Sequence, residues 1–222
     1  MSSTSITHGR TTLESPVART TAVLRRITPI AGVLYGGLAI GGDLVIGPFP
    51  EGTTSGAALR DFYAGHGPQV ALGGTLLIWS AVCFAIFGAA LWSRASERAV
   101  PSVAAALVLL GVALDTVAQL DDAGIFRFLG EHGADGRIAP AAVQAWQLAV
   151  TEIGTSGGLV LLVAGIAVAA FGYRALPRWI AATGLLVVAA EFTPLFFAAS
   201  LAFLLWAAVA GVALAVRPSP AR

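Results

Sequence analysis

From Trp179 to Val216 the chain runs for 38 residues with a single charged side chain, Glu191. One helix of that length would measure about 57 Å at 1.5 Å per residue, against roughly 30 Å of hydrocarbon in a bilayer. Pro194, in EFTPLFF, lacks a backbone donor and disfavours helix at the residue before it. The run is therefore expected to fold back as two short helices. Four more apolar runs, at about 27–47, 68–92, 100–120 and 148–173, are each long enough to cross. The fold class expected is all-α: a polytopic transmembrane helix bundle of six spans.

Composition agrees. The chain is 57% hydrophobic and 11% charged, where soluble domains carry about 25% charged residues. A net charge of +1 without a basic, aromatic-interleaved stripe gives no nucleic-acid partner. Cys83 is the single cysteine, which excludes an internal disulfide and a thiolate metal cluster. Phosphate-cradling glycine loops, a G-x-S-x-G elbow and H-x-x-x-H or H-E-x-x-H spacings are absent, so neither cofactor nor metal is expected.

Residues 1–26, rich in Ser, Thr and Arg and free of aromatics, read as a disordered cytoplasmic tail. The transmembrane domain then covers 27–216 and a short cytoplasmic tail 217–222. The first apolar run is too long for the core of a signal peptide and reads as a retained anchor.

With six spans, Arg10, Arg19, Arg25, Arg26, Arg94, Arg98, Arg174, Arg178, Arg217 and Arg222 share one side of the membrane. Arg60, Arg127 and Arg137 take the other. The positive-inside rule then puts both termini in the cytoplasm and the chain in the inner (plasma) membrane. Of the outer segments, 48–67 is expected to hold a short helix around Ser55–Ala64, stopped by Gly65. Residues 121–140 read as a glycine-rich loop with Ile125, Phe126, Phe128 and Leu129 at the interface. Helix 4 is expected to start at Pro140.

A carboxylate in a span costs roughly 2.5–3.5 kcal/mol on insertion scales, yet Asp43, Asp115 and Glu191 each lie in an outward-running helix. They follow Arg26, Arg98 and Arg178 by 17, 17 and 13 residues, which places them in the outer half. Glu152 descends towards the same level on helix 4. Helical spacing puts Gly32, Gly36, Ala39 and Asp43 on one stripe, and Gly111, Asp115, Gln119 and Asp122 on another. Gln144, Gln147, Thr151 and Thr155 align on helix 4 beside Glu152, and Gly184, Val188 and Glu191 on helix 5. Four polar or small faces on four helices are best satisfied by one another, as an outward-facing polar pocket. In the plainer alternative each acid is a helix-end residue reaching the headgroups.

The expected role is non-enzymatic: binding or helping to move a small cationic or protonatable ligand. The ligand-binding residues would be Asp43, Asp115, Glu152 and Glu191, supported by Gln119, Gln147 and Thr151. A rival reading is a membrane-embedded isomerase or cyclase acting on a lipophilic substrate, with Asp115 and Glu152 as its catalytic acid–base pair. A third is an accessory subunit that meets a membrane-protein partner through Gly32, Gly36, Gly37 and Gly41. Trp79 and Trp206 sit mid-span, where helix packing competes with lining a pocket.

Two motifs carry a resemblance: DFYAGHGPQVALGG (61–74), an outer Phe-Tyr-x-x-His before the second span, and ALPRWIAATGLL (175–186), a Leu-Pro-Arg-Trp turn entering the fifth. Over about residues 27–216 the chain resembles a small six-helix actinobacterial integral membrane protein family of unknown function. The resemblance implies the topology and no reaction. It also implies that Asp43, Asp115 and Glu191 are specialisations of this chain.

Overall fold

The computed structural model describes residues 16–50, 54–97, 102–152, 157–174 and 176–216; at several helix ends, 16–26 and 151–152 among them, it gives the helical path alone. The described residues are helical, with no strand among them. Helix α1 spans Pro16–Ile46, α2 Gly56–Glu97, α3 Ser102–His132 and α4 Pro140–Glu152. Helix α5 spans Gly157–Ala167 and runs into a π-helical turn, Val168–Gly172. Helices α6 (Arg178–Glu191) and α7 (Phe196–Val216) complete the chain. Helix α1 therefore begins before residue 27, where the first anchor was expected, and residues 1–15 lie outside the described residues.

Three helical stretches, Pro29–Ile46, Gly56–Ser93 and Ser102–His132, are long and apolar enough to cross a membrane; Gly158–Gly172 and Ala198–Leu214 are shorter apolar helices. The last apolar run breaks where Pro194 demands. Phe192–Leu195 form the turn, closed by Thr193, whose hydroxyl donates to the Ala190 carbonyl at 2.7 Å and accepts from the Leu195 N–H at 3.2 Å. Packing is cyclic. Helix α1 lies against α2 and α7, α2 against α3, α3 against α5, α5 against α6, and α6 against α7. Phe84, Phe87, Leu162, Ile166, Ile180 and Ala207 are fully buried in the middle. Leucines such as Leu44, Leu114, Leu186 and Leu205 cover the outside. That is the distribution a lipid solvent allows.

Small residues set the helix spacing. A Cβ on Gly32 would lie 2.8 Å from the Ala207 carbonyl of α7, and one on Gly36 3.0 Å from that of Leu204. On Gly111 it would strike the Leu162 amide of α5. Without a hydrophobic drive between helices in lipid, such close backbone contact supplies the attraction.

The outer segments differ from expectation. The short helix at Ser55–Ala64 does not stop at Gly65. Ser55 caps it, accepting from the Ala58 N–H at 3.3 Å, and α2 continues through Gly65 and Pro68 for 42 residues, about 63 Å. Likewise 121–132 is the last part of α3 instead of an interfacial loop. The reason is tertiary. Leu59, Tyr63 and Val70 of α2 pack with Leu129 of α3 and Val143 of α4 in a second core, flanked by Phe49, Phe62, Ile125 and Phe126. Burial on that scale outweighs a helical glycine's cost of about 1 kcal/mol. Arg60 ties in the connecting turn by donating to the carbonyls of Asp135, at 2.9 Å, and Ile138. Helix α4 begins at Pro140, as expected.

Candidate functional site

Asp115 and Gln119, one turn apart on α3, share a helix face. Asp115 is 4% exposed, and Gln119 Nε2 donates to its Oδ2 at 2.5 Å. Helix α5 closes over this turn: a Cβ on Gly158 would lie 2.6 Å from the Asp115 backbone nitrogen. From α1, Tyr35 enters the same interior. It is 4% exposed, and its ring lies 4.9 Å from that of Phe84 and 6.4 Å from that of Phe203. Ser80 of α2 fixes the backbone there, donating to the Tyr35 carbonyl at 2.8 Å.

The carboxyls of Asp115, Glu191 and Asp43 all lie within electrostatic reach of the Tyr35 hydroxyl, Asp115 acting most strongly. Glu191 and Asp122 also act on Asp115. Glu191, at the end of α6, accepts from the Ser200 hydroxyl of α7 at 3.1 Å and 3.3 Å. Asp43, near the end of α1, is exposed. Asp115, Glu191 and Asp43, three of the four acids singled out in the sequence, are thus close enough to influence one phenol electrostatically. Among the described residues the ion pairs lie elsewhere: Arg127–Glu131 at 2.9 Å and His132–Glu131 at 3.8 Å, both exposed.

Gln147 does not join them. It is fully buried in the second core, where its Oε1 accepts from the Tyr63 hydroxyl at 2.7 Å. Its neighbour Trp146 packs edge-on against Phe128, thirteen residues along α3 from Asp115, a rise of about 20 Å. The side chains of Thr151 and Glu152 lie outside the described residues, as do Thr155 and Ser156. Trp206 is packing, with Nε1 donating to the Ile180 carbonyl at 3.0 Å and to Thr183 Oγ1 at 3.1 Å; Trp79 is exposed on the outer surface of the bundle. Gly32 and Gly36 face α7 of their own chain, whereas Cβ positions on Gly37 and Gly41 meet nothing within 4 Å.

Tyr35 is the residue that sequence reasoning missed. The available signal is a phenol inside a Gly-rich span, because a buried tyrosine hydroxyl needs a polar partner. Chemically the cluster offers carboxyls, a phenol and an amide, a set that can exchange protons or face a positive charge. Among the described residues, no three His, Cys, Asp or Glu side chains are arranged to hold a metal ion. Comparison of the chain with protein-family models, curated proteins and solved structures gave no match.

Proposed function

We propose that this chain is a six-span inner-membrane protein with both termini cytoplasmic, and that its polar interior opens outward and binds or helps move a small cationic or protonatable ligand. Six spans are supported by the cyclic packing order of α1, α2, α3, α5, α6 and α7. The orientation rests on the arginine distribution, and the likeness to small actinobacterial membrane proteins agrees with it. Asp115 and Glu191 are the principal acceptors, Asp43 stands at the entrance, and Gln119 and Tyr35 orient the site.

One observation carries the ligand reading: Asp115 is buried and Glu191 half-buried, and the hydrogen-bond partners of their carboxyls, Gln119 and Ser200, are neutral. Carboxyls so placed have unspent capacity for positive charge. The test is thermal unfolding of the purified protein in lipid nanodiscs, with sodium, potassium, methylammonium and tetramethylammonium as probes at fixed pH. At a hundredfold excess over its dissociation constant a bound cation stabilises the fold by about 2.7 kcal/mol. Asp115→Asn and Glu191→Gln should each remove the shift. If no probe stabilises the protein, or both variants keep the full shift, the ligand reading is wrong.

A further inference from the structure

The turn that joins α5 to α6 is held in a conformation its sequence does not favour. The π-helical turn ends at Gly172, Tyr173 follows with φ −117°, and Arg174 takes φ +51°. Among the described residues Arg174 is the one non-glycine with positive φ. That left-handed region is the usual place of glycine after a helix, because a Cβ there crowds the backbone. Here the Cβ is kept, and it carries a guanidinium. Packing pins the turn from both sides: Ala169 and Ala170 are buried before it, and Leu176, Pro177 and Ile180 after it. Pro177 leads into α6 with extended backbone, ψ 130°. Between these anchors Tyr173 and Arg174 are exposed, and so are Arg178 and Trp179 at the start of α6.

The turn lies at the end of the bundle away from the second core. Helix α5 runs antiparallel to α3: Gly158 meets Asp115, Leu162 meets Gly111, and Gly165 meets Val108 and the Ala104 carbonyl. The chain therefore leaves α5 at the level where α3 begins, at Ser102, and where α2 has ended, at Glu97. This is the arginine-rich side of the sequence, the cytoplasmic side in the proposed topology. Tyr173 is 48% exposed, Trp179 41%, and Trp92, near the end of α2, 40%. Amphipathic rings at a membrane boundary sit among the headgroups, and arginine stems lie along the apolar edge with the charge in the phosphate layer. Among the described residues neither Arg174 nor Arg178 forms an ion pair, and the first turn of α6 carries no acid.

We propose that Tyr173, Arg174, Arg178 and Trp179 form a binding site for the anionic headgroup of a phospholipid in the adjacent leaflet. The guanidiniums pair with the lipid phosphate, each planar fork able to take two oxygens, and the rings flank the glycerol region. Charge is complementary: the cytoplasmic leaflet is anionic, and the described chain supplies no counter-charge to either arginine. The left-handed Arg174 then has a reason. The turn forgoes a glycine's ease to place one guanidinium four residues before another, at headgroup level. Lipid is favoured over a soluble acidic partner because Phe171, Tyr173 and Trp179 border the arginines and present apolar surface that needs cover. The inference stands apart from the ligand reading and uses none of its acids.

The experiment compares thermal unfolding of the full chain in nanodiscs of phosphatidylcholine with unfolding in discs that also contain phosphatidylglycerol. The anionic lipid occupies both leaflets of a disc, so the result does not depend on orientation. It should raise the wild-type midpoint. Arg174→Gln and Arg178→Gln should each lose most of that shift. In native mass spectrometry of the detergent-purified chain, either change should weaken phosphatidylglycerol binding about fivefold. Arg174→Gly separates strain from charge: freed of the left-handed Cβ, it should unfold at higher temperature than wild type in phosphatidylcholine, yet gain nothing from phosphatidylglycerol. Arg137→Gln, an equal loss of charge in the turn between α3 and α4, should keep the full shift. Equal wild-type midpoints in the two discs overturn the proposal. So does a shift that survives loss of either arginine, or one that Arg137→Gln removes as well. Inorganic phosphate that stabilises the chain in phosphatidylcholine as much as phosphatidylglycerol does overturns the assignment to lipid.

Discussion

The Tyr63 hydroxyl donates to Gln147 Oε1 at 2.7 Å, joining α2 to α4 inside the second core. The polar faces thus divide into a site around Asp115 and a separate structural clasp. Tyr63→Phe deprives a fully buried amide of that donor and is expected to destabilise the fold by roughly 1–3 kcal/mol, read as a lower thermal midpoint. Gln147→Leu, which removes the same bond from the α4 side, should lower the midpoint as well. Any cation-dependent stabilisation should persist in both variants; its loss would tie the clasp to the site.

The contact of α3 with α5 gives a sharper test. Gly158→Ala would place a methyl 2.6 Å from the Asp115 backbone nitrogen, and the atom it meets is main chain, which cannot swing away. The helices must separate, so the midpoint should fall. Gly124→Ala on α3 meets nothing within 4 Å. It is expected to be neutral or to stabilise by up to about 1 kcal/mol through helix propensity. Equal effects at the two glycines would mean that close approach does not hold these helices together.

Much of this architecture is legible in the chain. The hairpin at Pro194, the start of α4 at Pro140 and the inward-facing stripe of Asp115 and Gln119 all follow from local rules of dihedral angle, donor loss and helical spacing. The outer extensions of α2 and α3 are not legible. Gly65, Gly67–Pro68 and Gly130 signal breaks locally, and only the mutual burial of Leu59, Tyr63, Leu129 and Val143 keeps the helices going. Gln147 reads as an inner-site residue from its stripe alone, but a stripe fixes a face and not a depth. Tyr35 escapes sequence reasoning because an aromatic in a span reads as packing.

The glycines of α1 divide by face, and the division can be measured. Gly32→Ala presses a methyl to 2.8 Å from the Ala207 carbonyl, while Gly37→Ala enters open space. The first is expected to lower the thermal midpoint of the isolated protein and the second to leave it unchanged. Gly36→Leu, which by sequence alone would test for an external partner, should unsettle the chain's own α1–α7 contact instead. A stable Gly32→Ala protein would remove the argument that α7 docks on α1 through backbone contact.

Topology is decided by which ends of the legs share a side. Gly136 lies in the turn between α3 and α4, Gly172 at the end of the π-helical turn that follows α5, and Phe192 in the turn between α6 and α7. A Cβ on Gly136 or Gly172 would meet no atom within 4 Å, and Phe192 is 69% exposed, so a cysteine at each reaches solvent or headgroups without repacking. In a Cys83→Ser background, a membrane-impermeant maleimide should label Gly136→Cys and Phe192→Cys in intact cells, and Gly172→Cys only after permeabilisation. Helix α6, at 14 residues or about 21 Å, is the shortest leg and therefore the critical one. Labelling of Phe192→Cys only after permeabilisation would mean that α6 does not cross. The C-terminus would then lie outside if α7 alone spans, and the inner site would lose Glu191 from its outer end.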